Sequence, residues 1–164
     1  MKVSVLQENL AHGLGIVSRA VSPRSTLPVL ANVLMATDEG RLRLSATNLE
    51  MGITAWIGAK IDEEGSTTAP ARTVGDLIST LPNDQVDMQL NERNQTLHVS
   101  CGTSNTDIKC IDAQEFPPIP VPELQGGVQL TVGGLTEMIL QVVFSAATPD
   151  ARPAHLRGVV PAEQ

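Results

Sequence analysis

Side chains with catalytic or metal-binding chemistry are few in this sequence and lie far apart. His12, His98 and His155 fall on a predicted helix, a predicted strand and the C-terminal region, and none stands at a ligand spacing from a cysteine or carboxylate. Cys101 and Cys110 flank a predicted hairpin turn and can face one another across neighbouring strands. Because a zinc site needs about four ligands, the two thiols are better interpreted as small core residues, and we expect no metal site.

Enzyme motifs are also missing from the sequence. It contains no glycine-rich phosphate loop, no nucleophile elbow and no paired-cysteine motif. The acidic run 62–64 occupies a predicted turn, where solvated surface is the ordinary interpretation. We therefore expect a protein that is not an enzyme and that binds no cofactor.

Basic residues are scarce, which makes their positions informative. Lys and Arg number 11 against 18 Asp and Glu, giving a formal net charge of −7; this argues against wrapping nucleic acid with the whole surface but permits a local basic patch. Arg19 ends a first predicted helix, Arg24 lies in the loop after it, and Arg72 stands just before a second helix. If both helices cover one face of a sheet, all three arginines border that face. Two interpretations stay open: a site for backbone phosphates, or scattered surface arginines.

The composition is that of a globular chain with an aliphatic core. Apolar residues make up 41% of the sequence and aromatic residues only 2%. No apolar run approaches the roughly 20 residues that cross a bilayer, and the N-terminus lacks the basic-then-apolar layout of a signal peptide. Two cysteines fit reduced thiols better than a disulfide framework. We therefore expect a cytoplasmic protein.

The apolar pattern predicts an α+β domain, with a mainly antiparallel sheet and two helices on one of its faces. Helices are predicted over 10–21 and 74–81, the second with Thr73 as N-cap and Asp76 completing a capping box. The period-two run 51–61 predicts one long strand with a buried face, and Trp56, on the opposite parity, is expected to lie over the sheet edge. The other predicted strands are 3–5, 29–37, 41–48, 67–69, 86–90, 96–101 and 107–111.

The chain begins in the same way twice. The strand–helix–loop pattern that starts at residue 3 recurs from residue 128, with Leu10 aligned with Leu135 and Pro28 with Pro153. A repeat of this length indicates duplicated domains, because solenoid repeats are only about 20–50 residues long. The proline-rich stretch around 116–122 cannot join a sheet interior. We predict a complete domain at 1–118, a Pro/Gly-rich linker at 119–127 and a truncated second copy at 128–164.

Several motifs resemble one family of proteins. Residues 18–34, SRAVSPRSTLPVLANVL, closely resemble the first-domain signature of the bacterial DNA sliding clamp, the DNA polymerase III beta subunit. Residues 42–50, LRLSATNLE, are similar to the next strand of that family, and 70–72 and 115–117 match positions before its second helix and its linker. Residues 144–159 look like the start of its second domain. These motifs span nearly the whole chain in the family's order.

The resemblance implies a DNA-clamp fold and a non-catalytic role in DNA replication. Family members have three similar domains per chain, and two chains close head-to-tail into a ring that encircles duplex DNA, with helices inside and sheets outside. This processivity factor tethers the polymerase by topology. The resemblance implies that Arg24 and Arg72 contact DNA without reading its sequence, with Arg19 as a third contact.

The resemblance also implies partners. DNA polymerase III and the clamp loader dock between the second and third domains, in regions this sequence lacks, and the strand near 103–108 pairs with the third domain of the second chain. An alternative interpretation is a truncated clamp-like interaction protein, or a fragment, that cannot encircle DNA. For that case we expect weak self-association through the strand near 103–108, the second-copy fragment, or both.

Overall fold

The structure, a computed structural model, describes residues 1–23, 25–120 and 130–145. The chain separates into two compact units, Met1–Pro120 and Val121–Gln164. The boundary at 118, the linker at 119–127 and the identity of the second copy stay predictions. Arg24 lies outside the described residues, as do 121–129 and 146–164, which hold most of the predicted linker and the matched motif around Pro153.

The first unit is an α+β domain in which two antiparallel sheets and two helices share one core, which confirms the predicted fold class. Helix α1 spans Gln7–Val17 and helix α2 spans Ala71–Thr80. The strands are β1 Lys2–Leu6, β2 Asn32–Asp38, β3 Arg41–Thr47, β4 Gly52–Gly58, β5 Lys60–Glu63, β6 Ser66–Pro70, β7 Gln85–Asn91, β8 Thr96–Cys101 and β9 Ser104–Lys109. The five-stranded sheet has the order β5-β1-β7-β8-β9 and the four-stranded sheet the order β4-β3-β2-β6.

Both helices lie on the same side of the four-stranded sheet, as predicted. Helix α1 contacts β3 and β4, α2 contacts β2 and β6, and the two helices contact each other. Leu10, Leu14 and Val17 of the predicted stripe are buried in the shared core. Helix α1 ends at Val17 and continues as a 3₁₀ turn over Ser18–Ala20, so the predicted helical end at Val21 is wrong. Such a turn is a common way to satisfy the last carbonyl groups of a helix.

The prediction of one sheet, with one strand over 51–61, is also wrong. That run divides at Ala59 into β4, which pairs with β3, and β5, which pairs with β1 in the other sheet. Its alternation continues across the division because both sheets turn one face to the same core: Ile57 is buried there and Ile61 packs against it. The alternation of apolar residues therefore predicted correctly which face of 51–61 is buried, but it did not indicate which strands this segment pairs with.

Two strand boundaries differ because of nearby turns. Strand β2 begins at Asn32, since Pro28–Ala31 form a 3₁₀ turn. Strand β9 begins at Ser104, earlier than the predicted 107, because Gly102 adopts a φ of 57° that allows a tight turn after β8. Strand β9 is an edge of the five-stranded sheet.

The two cysteines are free and buried at opposite ends of the β8–β9 hairpin. Cys101 is paired with Ser104 across the hairpin, whereas Cys110 follows β9 and donates its backbone N–H to the carbonyl of Gln95 at 2.8 Å. They therefore do not face one another. Burial raises the pKa of the Cys110 thiol, which donates to the carbonyl of Ile108 at 3.5 Å.

The start of the predicted linker is packed against the first unit. Phe116 is buried with Val29 and Leu30 in a small second cluster. A Cβ atom on Gly52 would lie 2.7 Å from Cγ2 of Ile119, so the chain passes closely over the beginning of β4. The proline-rich stretch is thus anchored as far as Ile119.

The described part of the second unit is one helix. Helix α3 spans Val132–Val142, and the Thr131 side chain caps it by accepting a hydrogen bond from the N–H of Gly134 at 3.3 Å. A 3₁₀ turn follows over Val143–Ser145. A helix was predicted here, and it begins before Leu135.

Two glycines of α1 provide a matched test of its packing. A Cβ atom on Gly13 would lie 2.9 Å from Leu44 Cδ1 and 3.0 Å from Ile57 Cγ2, whereas nothing lies within 4 Å of one on Gly15. We expect Gly15→Ala to raise the free energy of unfolding by up to about 1 kcal/mol through helix propensity. Gly13→Ala should be less stable than Gly15→Ala by about 1 kcal/mol or more, because its methyl group displaces buried side chains. Urea denaturation followed by circular dichroism measures both, and equal stabilities would contradict the close contact.

The Cys110 thiol predicts a specific dependence of stability on pH. Because its pKa is raised in the folded state, its contribution is present below the ordinary thiol pKa and is lost as the pH rises through that value towards the raised one. We expect Cys110→Val to lose less stability than the parent between about pH 7 and pH 10. Urea midpoints across this range test the difference, with Cys101→Val as the control. Parallel curves for the parent and Cys110→Val would count against a protonated buried thiol.

Candidate nucleic-acid interface

Two of the three predicted contact arginines lie in the described part of the chain, on its helix-bearing side. Arg19 is exposed in the 3₁₀ turn that follows α1, and Arg72 is exposed in the first turn of α2. The third, Arg24, is outside the described residues. Since α1 and α2 contact each other, their solvent-facing sides form one surface, which we call the helix surface. It consists of the exposed residues of α1, the 3₁₀ turn after it, and α2.

The beginning of α2 is electrostatically suited to an anion. Strand β6 runs into α2 without a loop, so Pro70 occupies the N-cap position, no side chain caps the first turn, and no acidic residue lies in it. The predicted cap at Thr73 is wrong, because the helix begins at Ala71 and Thr73 lies inside it. The first-turn N–H groups carry the positive end of the helix dipole. Arg72 adds a cation there, which does not help the helix but strengthens the attraction of a phosphate.

Arg72 has one ionic neighbour, Asp76. Its Nε lies 3.7 Å from Oδ2 of Asp76, one turn further along α2, and the two side chains are 95% and 76% exposed. The sequence pattern predicts Asp76 as part of a capping box with Thr73, whereas the helix start at Ala71 makes Asp76 the i+4 neighbour of Arg72. A pair this exposed is screened by water and adds little to stability, so a ligand can compete with Asp76 for the guanidinium.

The rest of the helix surface is polar, and its charges balance. Glu8 and Asp76 oppose Arg19 and Arg72, and the side chains between them are mostly neutral. The other exposed residues of this surface are Asn9, His12, Gly15, Ile16, Ser18, Thr73, Ser79 and Thr80. Hydroxyl and amide groups can contact phosphates directly or through water without holding any one of them tightly.

The arginines on the opposite face of the four-stranded sheet are already engaged. Arg41 and Arg43 flank the buried Leu42 on β3, so they point away from the core. The guanidinium of Arg43 lies 3.8 Å from Asp38, and that of Arg41 lies 5.9 Å from the ring centroid of Trp56, whose Nε1 donates to Asp38 at 2.8 Å. Trp56 thus lies over the outer face of the sheet, reaching from β4 past β3 to Asp38 of β2. The predicted position over the sheet edge is wrong, because the ring turns inward to this hydrogen bond, and it holds these arginines in a local network.

The outer face of the five-stranded sheet is polar and contains several carboxylates. The Ser4 hydroxyl donates to Asp87 at 2.5 Å, and this bond, with a second from Gln85, lowers the pKa of that carboxyl. His98 Nδ1 lies 2.7 Å from Asp107 Oδ1 across β8 and β9. An open cavity of about 790 Å³ by the β7–β8 turn has a largely polar lining, unlike the enclosed, apolar pockets that hold small ligands.

Two further observations bear on the predicted absence of a metal site and of a membrane span. Among residues 1–23, 25–120 and 130–145, no three His, Cys, Asp or Glu side chains are grouped so that they could hold a metal ion. Over the same ranges, no helix has the length and apolar character needed to cross a membrane.

Known proteins are similar to this chain in sequence and in fold. Residues 1–120 match the family described as DNA polymerase III beta subunit, N-terminal domain. The beta sliding clamp of Synechococcus elongatus is 37% identical over 161 residues, which cover 97% of this chain and 42% of the relative. That of Synechocystis is 33% identical over 169 residues, covering 96% and 43%.

Solved structures agree with the sequence relatives. The DNA polymerase sliding clamp of Caulobacter crescentus superposes with a TM-score of 0.85 at 29% identity, covering 94% of this chain and 42% of that one. A putative DNA polymerase III beta subunit of Eubacterium rectale gives the same TM-score at 29% identity, covering 92% and 41%. The chain therefore spans about 42% of the length of the proteins it matches. Since the family match covers the whole first unit, and the fold agrees with it, the chain belongs to the DNA polymerase III beta subunit family, the bacterial sliding clamps.

Proposed function

We propose that this chain forms part of a sliding-clamp processivity factor, a ring that encircles duplex DNA in the bacterial cytoplasm and tethers the replicative polymerase. Its role is non-catalytic: the ring holds the polymerase near its template by topology. The observation that carries the proposal is the exposed Arg72 at the uncapped start of α2, on a helix surface whose charges balance although the chain as a whole carries a formal charge of −7.

The helix surface suits a contact that must move along DNA. Arg72, and with it Arg19 and Arg24, would meet phosphates, which are the same at every base pair. Phosphate contacts give affinity that depends on salt and not on sequence, and they let a protein slide. Neutral hydroxyl and amide groups around the arginines would add water-mediated contacts without fixing a register.

The ring itself needs partners that this chain would meet through other surfaces. We propose a dimer of three-domain chains, with domain one at 1–118, a linker at 119–127 and domain two from 128. Polymerase III and the clamp loader would bind outside the first domain. In support, strand β9 is an edge of the five-stranded sheet whose residues are exposed except Ile108, and a second chain can extend such an edge through backbone hydrogen bonds.

A second candidate function is a clamp-like interaction protein that does not encircle DNA. The same β9 edge favours it, because Asp107 and Lys109 are its only charged residues and it contains no proline. An edge with so little protection can pair with another copy of the same chain.

The DNA contact predicts a smaller salt dependence in arginine variants. Replacing Arg24 and Arg72 by Ala should weaken binding to duplex DNA and reduce the slope of log Kobs against log[salt] by about 0.9 for each phosphate that the variant no longer neutralises. Arg93→Ala is the control for the single variant Arg72→Ala, since it also removes one positive charge but from the β7–β8 turn, which is not part of the helix surface. Binding of a fluorescent duplex measured at several salt concentrations gives the slopes. Equal slopes for the parent and the double variant would show that these arginines do not face DNA.

The exposed edge predicts concentration-dependent self-association of the 164-residue chain. Thr106 lies in the middle of β9, and its side chain is on the same side of the strand as that of the buried Ile108. Thr106 is nevertheless exposed, because it lies at the edge of the sheet. Thr106→Lys should suppress association, because an inward-pointing lysine on an edge strand disfavours a further strand. Sedimentation velocity over a concentration series tests this, with Asn94→Lys in the β7–β8 turn as the control. A parent that is monomeric at every concentration would rule out edge pairing of this chain.

A further inference from the structure

Asp76 places a negative charge beside Arg72 on the surface proposed to face DNA. Its Oδ2 is 3.7 Å from the Arg72 Nε, and its side chain is 76% exposed. A carboxylate in this position repels a phosphate and also neutralises the guanidinium that would attract one. On the helix surface, Asp76 thus competes with DNA phosphate for the Arg72 guanidinium.

Helix stability does not account for this pair. Ion pairs at i,i+4 contribute roughly 0.2–0.5 kcal/mol, and they contribute most when the acid precedes the base along the helix. Here the base, Arg72, comes first, and it lies in the first turn, where the helix dipole disfavours a cation. Helix α2 is instead held in place by Val74 and Ile78, which are fully buried. An acid at 72 and a base at 76 would serve the helix better.

We propose that Asp76 is a resident counter-ion that exchanges with DNA phosphate for Arg72 and so keeps this contact weak and short-lived. The inference rests on the proposed function. When Arg72 leaves one phosphate it pairs again with Asp76. The guanidinium therefore has an ionic partner both when it is bound to DNA and when it is released. The barrier between one phosphate and the next is therefore lower than for an arginine without a nearby carboxylate, as a sliding ring requires.

Removing the charge of Asp76 should strengthen DNA binding. Asp76→Asn keeps the size of the side chain and leaves Arg72 without its ionic partner. We expect affinity for duplex DNA to rise about two- to fivefold at low ionic strength, with the difference shrinking as added salt shortens the Debye length. Glu92→Gln is the matched control, because it makes the same change in net charge in the β7–β8 turn, which is not part of the helix surface.

A double-mutant cycle separates the exchange from simple repulsion. The isotope-labelled 164-residue chain and its Asp76→Asn, Arg72→Gln and double variants are titrated with a short duplex of mixed sequence. Amide shifts give affinities, and the Nε–H resonance of Arg72 reports on its partner. Asp76→Asn should strengthen binding when Arg72 is present, and in the Arg72→Gln background should do no more than Glu92→Gln does. An equal gain in both backgrounds would mean that Asp76 repels phosphate directly and would overturn the exchange.

The remaining outcomes distinguish this inference from the function on which it rests. If Arg72→Gln weakens binding but Asp76→Asn gains no more than Glu92→Gln, the counter-ion role fails and the DNA contact stands. If Arg72→Gln leaves affinity unchanged, or if DNA does not shift the Arg72 resonance, the proposed contact fails and the counter-ion role fails with it.

Discussion

The close approach of α1 to β3 and β4 at Gly13 determines which surfaces the first unit presents. A Cβ atom at this position would lie 2.9 Å from Leu44 Cδ1 and 3.0 Å from Ile57 Cγ2, so any larger residue would displace buried side chains, and glycine lets this side of the helix pack closely on the sheet. Leu10 and Leu14 then point into the core. The opposite side of the helix faces solvent, and α2, packed alongside, turns its own polar side the same way.

This packing separates the chain's charges by face. The sheets' outer faces hold arginines that are engaged with Asp38 and Trp56, and carboxylates such as Asp87 that are stabilised as anions by hydrogen bonds. The helix surface has few charges, and they balance. An acidic protein can therefore offer DNA a surface that does not repel it, because contact energies depend on local charge and not on the net charge of the chain.

The sequence predicted the helices and buried faces better than the sheet pairing. The apolar stripes of α1 and α2 follow from helical periodicity, which depends only on the chain itself. The division of 51–61 between two sheets depends on which strands lie nearby, and alternation carries no information about that. The start of α2 was misplaced because Thr73 and Asp76 form a plausible capping box, whereas the structure runs β6 directly into the helix through Pro70.

The sequence predicted which residues belong to the candidate site but not how they are arranged in space. The positions of Arg19 and Arg72 at helix ends were visible in the sequence, and so was the four-residue spacing of Arg72 and Asp76. The sequence did not show how these residues are arranged, because that depends on where α2 begins. The observed start at Ala71 makes Arg72 a first-turn residue and Asp76 its ionic neighbour. The proposed function came from the family resemblance, because neither composition nor spacing distinguishes a phosphate contact from an ordinary surface arginine.

The central claim is that DNA meets the helix surface and not the sheets. Mapping backbone amide shifts on addition of a short duplex at low salt tests it most directly. The account predicts that the largest shifts fall on the exposed residues of α1, on the 3₁₀ turn that contains Arg19, and on the first turn of α2. Shifts concentrated instead on the opposite face, around Arg41 and Arg43 of β3, would contradict it.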